Sequence, residues 1–270
     1  MSAVISGLHI YPVKGLRGVA LPEAAVTPLG LEGDRRWMVV SPEGNFRSQR
    51  QTPGMALIDA VPEDGALSLR CGDDVLVVPR PDGNAENIPV EVWGTWMQGA
   101  AASPNAGEWL SERLGQSCRL VFMRDEQTRP VEAAHNGGED HVSFADAFPL
   151  LATGAASLDA LNEALEADGV PAVPMDRFRP NIVVEGLAPW AEDGWRRVRV
   201  GEVVFRMPKP CTRCVVVTRD QRTGETPVAG QPLRTLGRLN RNGEGIVFGA
   251  NLIPETAGTV RLGDPVEALD

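Results

Sequence analysis

Cysteine is scarce in this chain, four residues in 270; tyrosine occurs once, histidine three times, and no strictly apolar run exceeds four residues. Each scarcity excludes something. Four cysteines cannot staple a chain of this length, so Cys71, Cys118, Cys211 and Cys214 are expected as thiols that matter, if at all, as ligand or nucleophile. Apolar runs such as Trp37-Met38-Val39-Val40 and Val75-Leu76-Val77-Val78 fall far short of the roughly 20 residues a membrane helix needs. An excess of cations is missing too: Lys plus Arg number 26 against 36 Asp plus Glu, a net charge of -10, which removes the general electrostatic reason for binding nucleic acid. Met1 to Ile10 lacks the cationic start and apolar stretch of a secretory signal, so a cytoplasmic protein is expected. No glycine-rich dinucleotide or Walker sequence follows a strand, and no Ser-His-Asp set can be argued.

What is present is a chain with 43% hydrophobic residues, able to bury a sizeable core. Its 29 glycines and 22 prolines punctuate the whole length, which suits many short strands better than a helical bundle. Alternating or short apolar runs predict strands at Val4–Tyr11, Arg36–Ser41, Ala56–Val61, Ala66–Leu69, Asp74–Val78, Ile88–Trp93 and Cys118–Met123. A helix is predicted from Ser103 as N-cap and Pro104 at the first helical position, with Trp109, Leu110 and Leu114 as its stripe and Gly115 as its end. The polar stretch Arg124–Asp140 reads as a loop or linker, and a second helix is predicted at Ala155–Ala167, stopped by Gly169. Strands then resume at Arg179–Val184, Val198–Val200, Glu202–Met207, Arg213–Thr218, Gly245–Leu252 and Thr259–Leu262, with a turn at Asp220–Gly224. The expected fold is α+β and β-rich, divided near Arg124 into halves 1–123 and 124–270 that each carry a helix.

Cys211-Thr212-Arg213-Cys214 is the most informative tetrapeptide. A CxxC can be half a zinc site, a redox pair, or two packed cysteines without function. A zinc site lacks partners here, because Cys71 and Cys118 are isolated and His9, His135 and His141 have no ligand spacing to it. A redox pair of the thioredoxin kind opens a helix, whereas Val215-Val216-Val217-Thr218 is β-branched. A strand beginning near Thr212 would put Thr212, Cys214 and Val216 on one face and Arg213 on the other, favouring one working thiolate at Cys214. Three cationic sites stand out besides. Arg179 before Pro180 would be held extended at a strand's entry, Lys14-Gly15 follows a strand where a glycine turn can present N–H groups to a phosphate, and Arg35 or Arg36 opens another strand. For each alone, a solvated charge or surface salt bridge is the plainer explanation; His9, alternating with Leu8 and Ile10, reads as structural.

Seven segments in order carry a resemblance: Tyr11-Pro12-Val13-Lys14-Gly15, Gly33-Asp34-Arg35-Arg36-Trp37, Ser48-Gln49-Arg50-Gln51, Phe178-Arg179-Pro180-Asn181-Ile182, Cys211-Thr212-Arg213-Cys214, Val247-Phe248-Gly249-Ala250-Asn251 and Gly263-Asp264-Pro265-Val266. Together they resemble the molybdenum-cofactor-binding MOSC proteins with an N-terminal β-barrel domain, the group of amidoxime-reducing components and bacterial N-hydroxylated-base reductases. The resemblance spans nearly the whole chain and implies an N-terminal β-barrel-like domain followed by a MOSC β-barrel domain. It implies Cys214 as the molybdenum ligand, a soft thiolate beside the dithiolene of molybdopterin. It places Lys14, Gly15, Arg35, Arg179, Asn181 and Arg213 about the pterin phosphate, with Thr212, Asp146 and Asn251 adding hydrogen bonds, and makes Asp146 the candidate proton donor. Gly15 replaces a hydroxyl residue of the animal proteins, and Asn251 replaces an aromatic one.

The activity implied is reduction of hydroxylamines, amidoximes or N-hydroxylated bases by oxygen-atom removal, with the chemistry supplied by the cofactor. Some bacterial relatives continue into a ferredoxin domain; this chain ends at Asp270 without further cysteines, so a separate electron donor of ferredoxin, flavin or cytochrome type is expected. One rival is a cofactor-binding or sulfur-carrying module like the C-terminal domain of molybdenum-cofactor sulfurases, acting in trans because no pyridoxal-phosphate domain accompanies it. The other is a thiol-disulfide oxidoreductase using Cys211 and Cys214.

Overall fold

A computed structural model describes residues 2–269 and shows a β-rich α+β protein of curled sheets with three α-helices among those residues. Alternation in the sequence became strands with one face on a core and the other toward solvent, as in Asn87–Val92 and Arg197–Val200. The largest sheet has ten strands. Its path runs Val266–Leu269, Arg197–Val200, Val203–Arg206, Gly245–Pro254, Leu150–Gly154, Ile182–Glu185, Val4–Ile10 and Val19–Ala20, and Pro210–Thr212 and Arg241–Asn242 both pair with Gly245–Pro254. Inward residues such as Ile5, Leu8, Val198, Phe205 and Leu252 form its core. A five-stranded sheet, Asn87–Val92, Thr95–Ala101, Arg119–Phe122, Trp37–Val40 and Val13–Lys14, joins the three-stranded Asp59–Glu63, Ala66–Cys71 and Asp74–Pro79 around a second core that includes Val39, Leu67 and Leu120.

The two predicted helices are present. Helix α1 (Pro104–Leu114) starts at its proline, ends where Gly115 turns left-handed at φ +66°, and drops Trp109 and Leu110 into the second core. Helix α2 (Ala155–Ala167) buries Leu161 and Leu165 and forms the crossover between the parallel strands Leu150–Gly154 and Ile182–Glu185. A third helix, α3 (Leu233–Leu239), was not expected; at seven residues its apolar pattern is too short to stand out. Nor were the strands Glu23–Thr27, Thr95–Ala101, Leu150–Gly154 and Val266–Leu269. No helix among the described residues is long and apolar enough to cross a membrane.

Three expectations need correction. The strand expected at Arg213–Thr218 does not exist: Pro210–Thr212 is a short strand and Val215–Thr218 a turn of 3₁₀ helix. Burying Val217 against Phe178 and Phe248 outweighs the β-preference of three valines, while Val215 is left half exposed. The strand expected over Ala56–Val61 begins only at Asp59, after a 3₁₀ turn started by Pro53. Arg179 is not extended but left-handed, φ +55°, because its N–H closes back onto Asp176 O at 3.2 Å after the 3₁₀ turn Met175–Arg177. Strand pairing also crosses the boundary expected near Arg124. The strand Val4–Ile10 pairs with Ile182–Glu185, and Glu23–Thr27 with Gly258–Arg261, so the start of the chain is hydrogen-bonded into the second half.

Candidate functional site

A cavity of about 410 Å³ is bordered by the Lys14–Gly15 turn, the entry to Ile182–Glu185 and the CxxC. Lys14, Gly15, Arg35, Asp146, Arg179, Asn181, Thr212, Arg213, Cys214 and Asn251 all line it, with Arg47, Arg50, Trp93 and Cys211. Lys14 reaches it from the short strand Val13–Lys14 beside Trp37–Val40. Asn181 and Arg179 come from the entry to Ile182–Glu185, and the CxxC and Asn251 from paired strands of the large sheet. Residues as far apart in sequence as Lys14 and Asn251 therefore share one wall.

The cationic side is organised by a carboxylate that sequence reasoning missed. Asp34, 1% exposed, accepts from Tyr11 N at 2.8 Å and Asn181 Nδ2 at 3.1 Å, and from Arg35 Nη1 at 2.5 Å. Burial works against the Arg35 charge, but the Asp34 carboxylate outweighs it and raises the pKa. Arg35 and Arg179, both at positive φ, lie over Tyr11 with guanidinium carbons 4.4 and 4.2 Å from the ring centroid. Arg179 has no carboxylate of its own; burial, with repulsion from Arg35, brings its pKa down to about 10. A buried cation in this condition gains by receiving an anion.

Asn181 is fully occupied. Its Nδ2 donates to His9 O and Asp34 Oδ1, and its Oδ1 accepts from Leu151 N and Arg35 Nη1. It borders the cavity with its side-chain hydrogen-bonding capacity used within the protein, and it orients Arg35. His9, with Nδ1 buried and unpartnered, has its pKa lowered chiefly by burial, in line with a structural residue.

Lys14, 7% exposed, donates to Phe144 O at 2.8 Å and pairs closely with Asp146. Burial lowers its pKa, and Asp146 only partly offsets this. Asp146 is the one carboxyl lining the cavity among the described residues. Burial pushes its pKa up, but the Lys14 ammonium, the Trp93 indole N–H at 3.0 Å and Arg35 together hold it well below the usual carboxylate range. Its side chain is 68% exposed and accepts here from Lys14 and Trp93.

Around the CxxC, the strand Gly245–Pro254 carries a bulge. Pro210 pairs with Ala250 but Thr212 with Val247, and Gly249 takes φ +83°, where an added Cβ would lie 2.5 Å from Ala152 O. The bulge resets the register just where Thr212 meets the cavity. Each sulfur then faces a different guanidinium: Arg213 Nη1 lies 2.9 Å from Cys211 Sγ, and Arg50 Nη2 lies 3.6 Å from Cys214 Sγ. Arg213 also donates to Phe178 O, and its buried Nε has no partner. Gln49 and Gln221 exchange two side-chain hydrogen bonds, 2.9 and 3.0 Å, and Gln49 also holds Gly15 O at 2.8 Å, tying the glycine turn to the segment after the CxxC.

Asp34, Arg50, Trp93, Gln49 and Gln221 thus belong to the site without having been expected there. Asp34, Gln49 and Arg50 stood inside the motifs that carry the resemblance, and a cluster of arginines is a signal for a buried acid among them. Nothing local pointed to Trp93 or Gln221.

Comparison with known proteins matches residues 2–117 to the MOSC N-terminal beta barrel domain and residues 139–267 to the MOSC domain. Mitochondrial amidoxime-reducing component 1 of Mus musculus is 35% identical over 98% of this chain and 82% of its own length, and that of Homo sapiens is 32% identical over the same shares. A molybdenum cofactor sulfurase of Oryza sativa subsp. japonica is 28% identical over 91% of this chain and 32% of its own length.

Proposed function

The chain belongs to the MOSC family in its two-domain form, and from that premise we propose that it is a molybdenum-cofactor-dependent oxidoreductase that reduces N-hydroxylated compounds. The observation that carries the proposal is a thiol, Cys214, in the same cavity wall as guanidiniums whose own partners are neutral. Among the described residues, the Arg179 guanidinium donates to Gln221 Oε1 at 3.4 Å and lies over Tyr11, and that of Arg213 meets Phe178 O and Cys211 Sγ. In a chain of net charge -10 this inverts the overall field locally. The donor set fits molybdopterin: a soft thiolate for the metal, and cations for a phosphate, with the orphaned Arg213 Nε still able to donate.

In this reading Cys214 is the metal's protein ligand. Lys14, Arg35, Arg179 and Arg213 hold the phosphate, the Gly15 backbone, Thr212 and Asn251 add hydrogen bonds, and Asp34 and Asn181 orient Arg35. Asp146 pairs with Lys14 and is the candidate proton donor. When bound, the cofactor supplies the two-electron chemistry of oxygen-atom removal from the N–O bond. A separate protein delivers the electrons, and a cytoplasmic location belongs to the same proposal. The sulfurase relative favours a second reading, a module that carries cofactor or sulfur. Separate guanidinium partners for the two sulfurs give a Cys211–Cys214 redox pair no comparable support.

The test is metal and pterin analysis of protein made in a host that synthesises the cofactor, comparing wild type, Cys211→Ser and Cys214→Ser. Wild type and Cys211→Ser are expected to carry molybdenum, and Cys214→Ser to lose it. Equal molybdenum in all three removes Cys214 as ligand; none in wild type removes the enzyme reading. Reduction of benzamidoxime or hydroxylaminopurine with an artificial reductant then separates enzyme from carrier, since a carrier passes molybdenum to an acceptor apoprotein without turnover.

A further inference from the structure

We infer that Trp93 is a positioning residue that holds the Arg50 guanidinium against the Cys214 sulfur. The consequence for turnover rests on the proposed function; the placement itself does not. Trp93 and Gly94 form the two-residue turn between the strands Asn87–Val92 and Thr95–Ala101, and both are left-handed, at φ +52° and +80°. Such a turn selects Asn, Asp or Gly at its first position, and a bulky aromatic there is a backbone outlier. Core burial does not compensate it, because the indole is 45% exposed. Strain kept at an open cavity wall points to a task for the side chain.

The contacts say what the task is. The Arg50 guanidinium carbon sits 4.6 Å from the Trp93 ring centroid, and Phe46 packs against the ring at 5.0 Å. The indole N–H donates to Asp146 Oδ1 at 3.0 Å, and Asp146 in turn pairs with Lys14. Arg50 has the sulfur as its other side-chain partner, Nη2 to Sγ at 3.6 Å. An arginine side chain left to itself samples many rotamers, and stacking on an aromatic face removes that freedom. One indole from the first half of the chain thereby holds the Arg50 cation on the sulfur and a carboxylate beside Lys14, the sulfur and the carboxylate both belonging to the second half. A guanidinium hydrogen-bonded to a ligating sulfur draws electron density from it and so tunes the metal it holds.

Trp93→Asn and Trp93→Phe test this. Asparagine suits the turn, so the thermal midpoint of Trp93→Asn is expected to equal or exceed that of wild type. In cofactor-free protein, phenylglyoxal labelling of Arg50, followed by mass spectrometry, is expected to quicken about three- to tenfold in Trp93→Asn as the cation–π contact is lost. Trp93→Phe, which keeps a ring face, should label close to the wild-type rate. In loaded protein, Trp93→Asn is expected to retain molybdenum, to shift the Mo(V) electron-paramagnetic-resonance spectrum, and to lower kcat more than it raises KM, with Trp93→Phe restoring much of both. Unchanged Arg50 labelling overturns the inference, as does a fall in thermal midpoint with parallel loss of cofactor, which is the behaviour of a packing residue. Wild type devoid of molybdenum overturns the proposed function instead, and the labelling result still decides where Arg50 is held.

Discussion

Tyr11 is the chain's one tyrosine, so the near-ultraviolet absorbance of tyrosinate reports on the middle of the cationic wall and on nothing else. The phenol is 4% exposed and donates to Pro180 O at 3.2 Å, with Arg179 and Arg35 over its ring. Two effects oppose each other: burial favours the neutral phenol, and the guanidiniums favour phenolate. Burial prevails and pushes the pKa from 10.0 up to about 12. The folded chain therefore holds this proton more tightly than the unfolded chain. The resulting stability is fully present below pH 10 and is lost as pH rises toward about 12. Its whole extent is about 2.7 kcal/mol, at 1.36 kcal/mol for each pH step between the two values. Near pH 11 an ordinary tyrosine is about 90% ionised and one with the Tyr11 value about 10%, a contrast that titration of native and urea-denatured protein resolves directly. A native midpoint coinciding with the denatured one would refute the reasoning. It would mean that the guanidiniums outweigh burial and that a phenolate neutralises part of the charge assigned to a phosphate.

Asp34→Asn keeps the acceptors for Tyr11 N and Asn181 Nδ2 but removes the countercharge of Arg35. Breaking one side of a buried ion pair costs about 3–5 kcal/mol, so thermal unfolding should drop by about 6–20 °C, and added inorganic phosphate should recover more of that loss than it adds to wild type; a drop near zero contradicts the network. Gly249→Ala puts a Cβ 2.5 Å from Ala152 O at a residue of φ +83°. A loss of about 2–3 kcal/mol in chemical denaturation is expected, and an unchanged midpoint would show that the bulge can relax.

The strand Ile88–Trp93 was legible because its periodicity is local, and helix Ala155–Ala167 because its stripe and its terminating Gly169 lie within a few residues. Val215-Val216-Val217 misled for the opposite reason: where a three-valine run goes depends on which of them finds Phe178 and Phe248, and those lie far off in the chain. At the site, the residue types and their order were readable. Their partners were not, since Asp34 reaches Asn181 across 147 positions and Arg50 reaches Cys214 across 164.

By itself the amino-acid order determined a β-rich chain, the family, and a set of cations and one thiol that had to serve something in common. Residue chemistry and local spacing are written along the backbone and need no third dimension. Which carboxylate each cation meets was decided only by tertiary structure. So were the left-handed backbone at Arg179 and the task of Trp93. A charge or a strained dihedral takes its meaning from the burial and the neighbours around it, and folding alone brings those together.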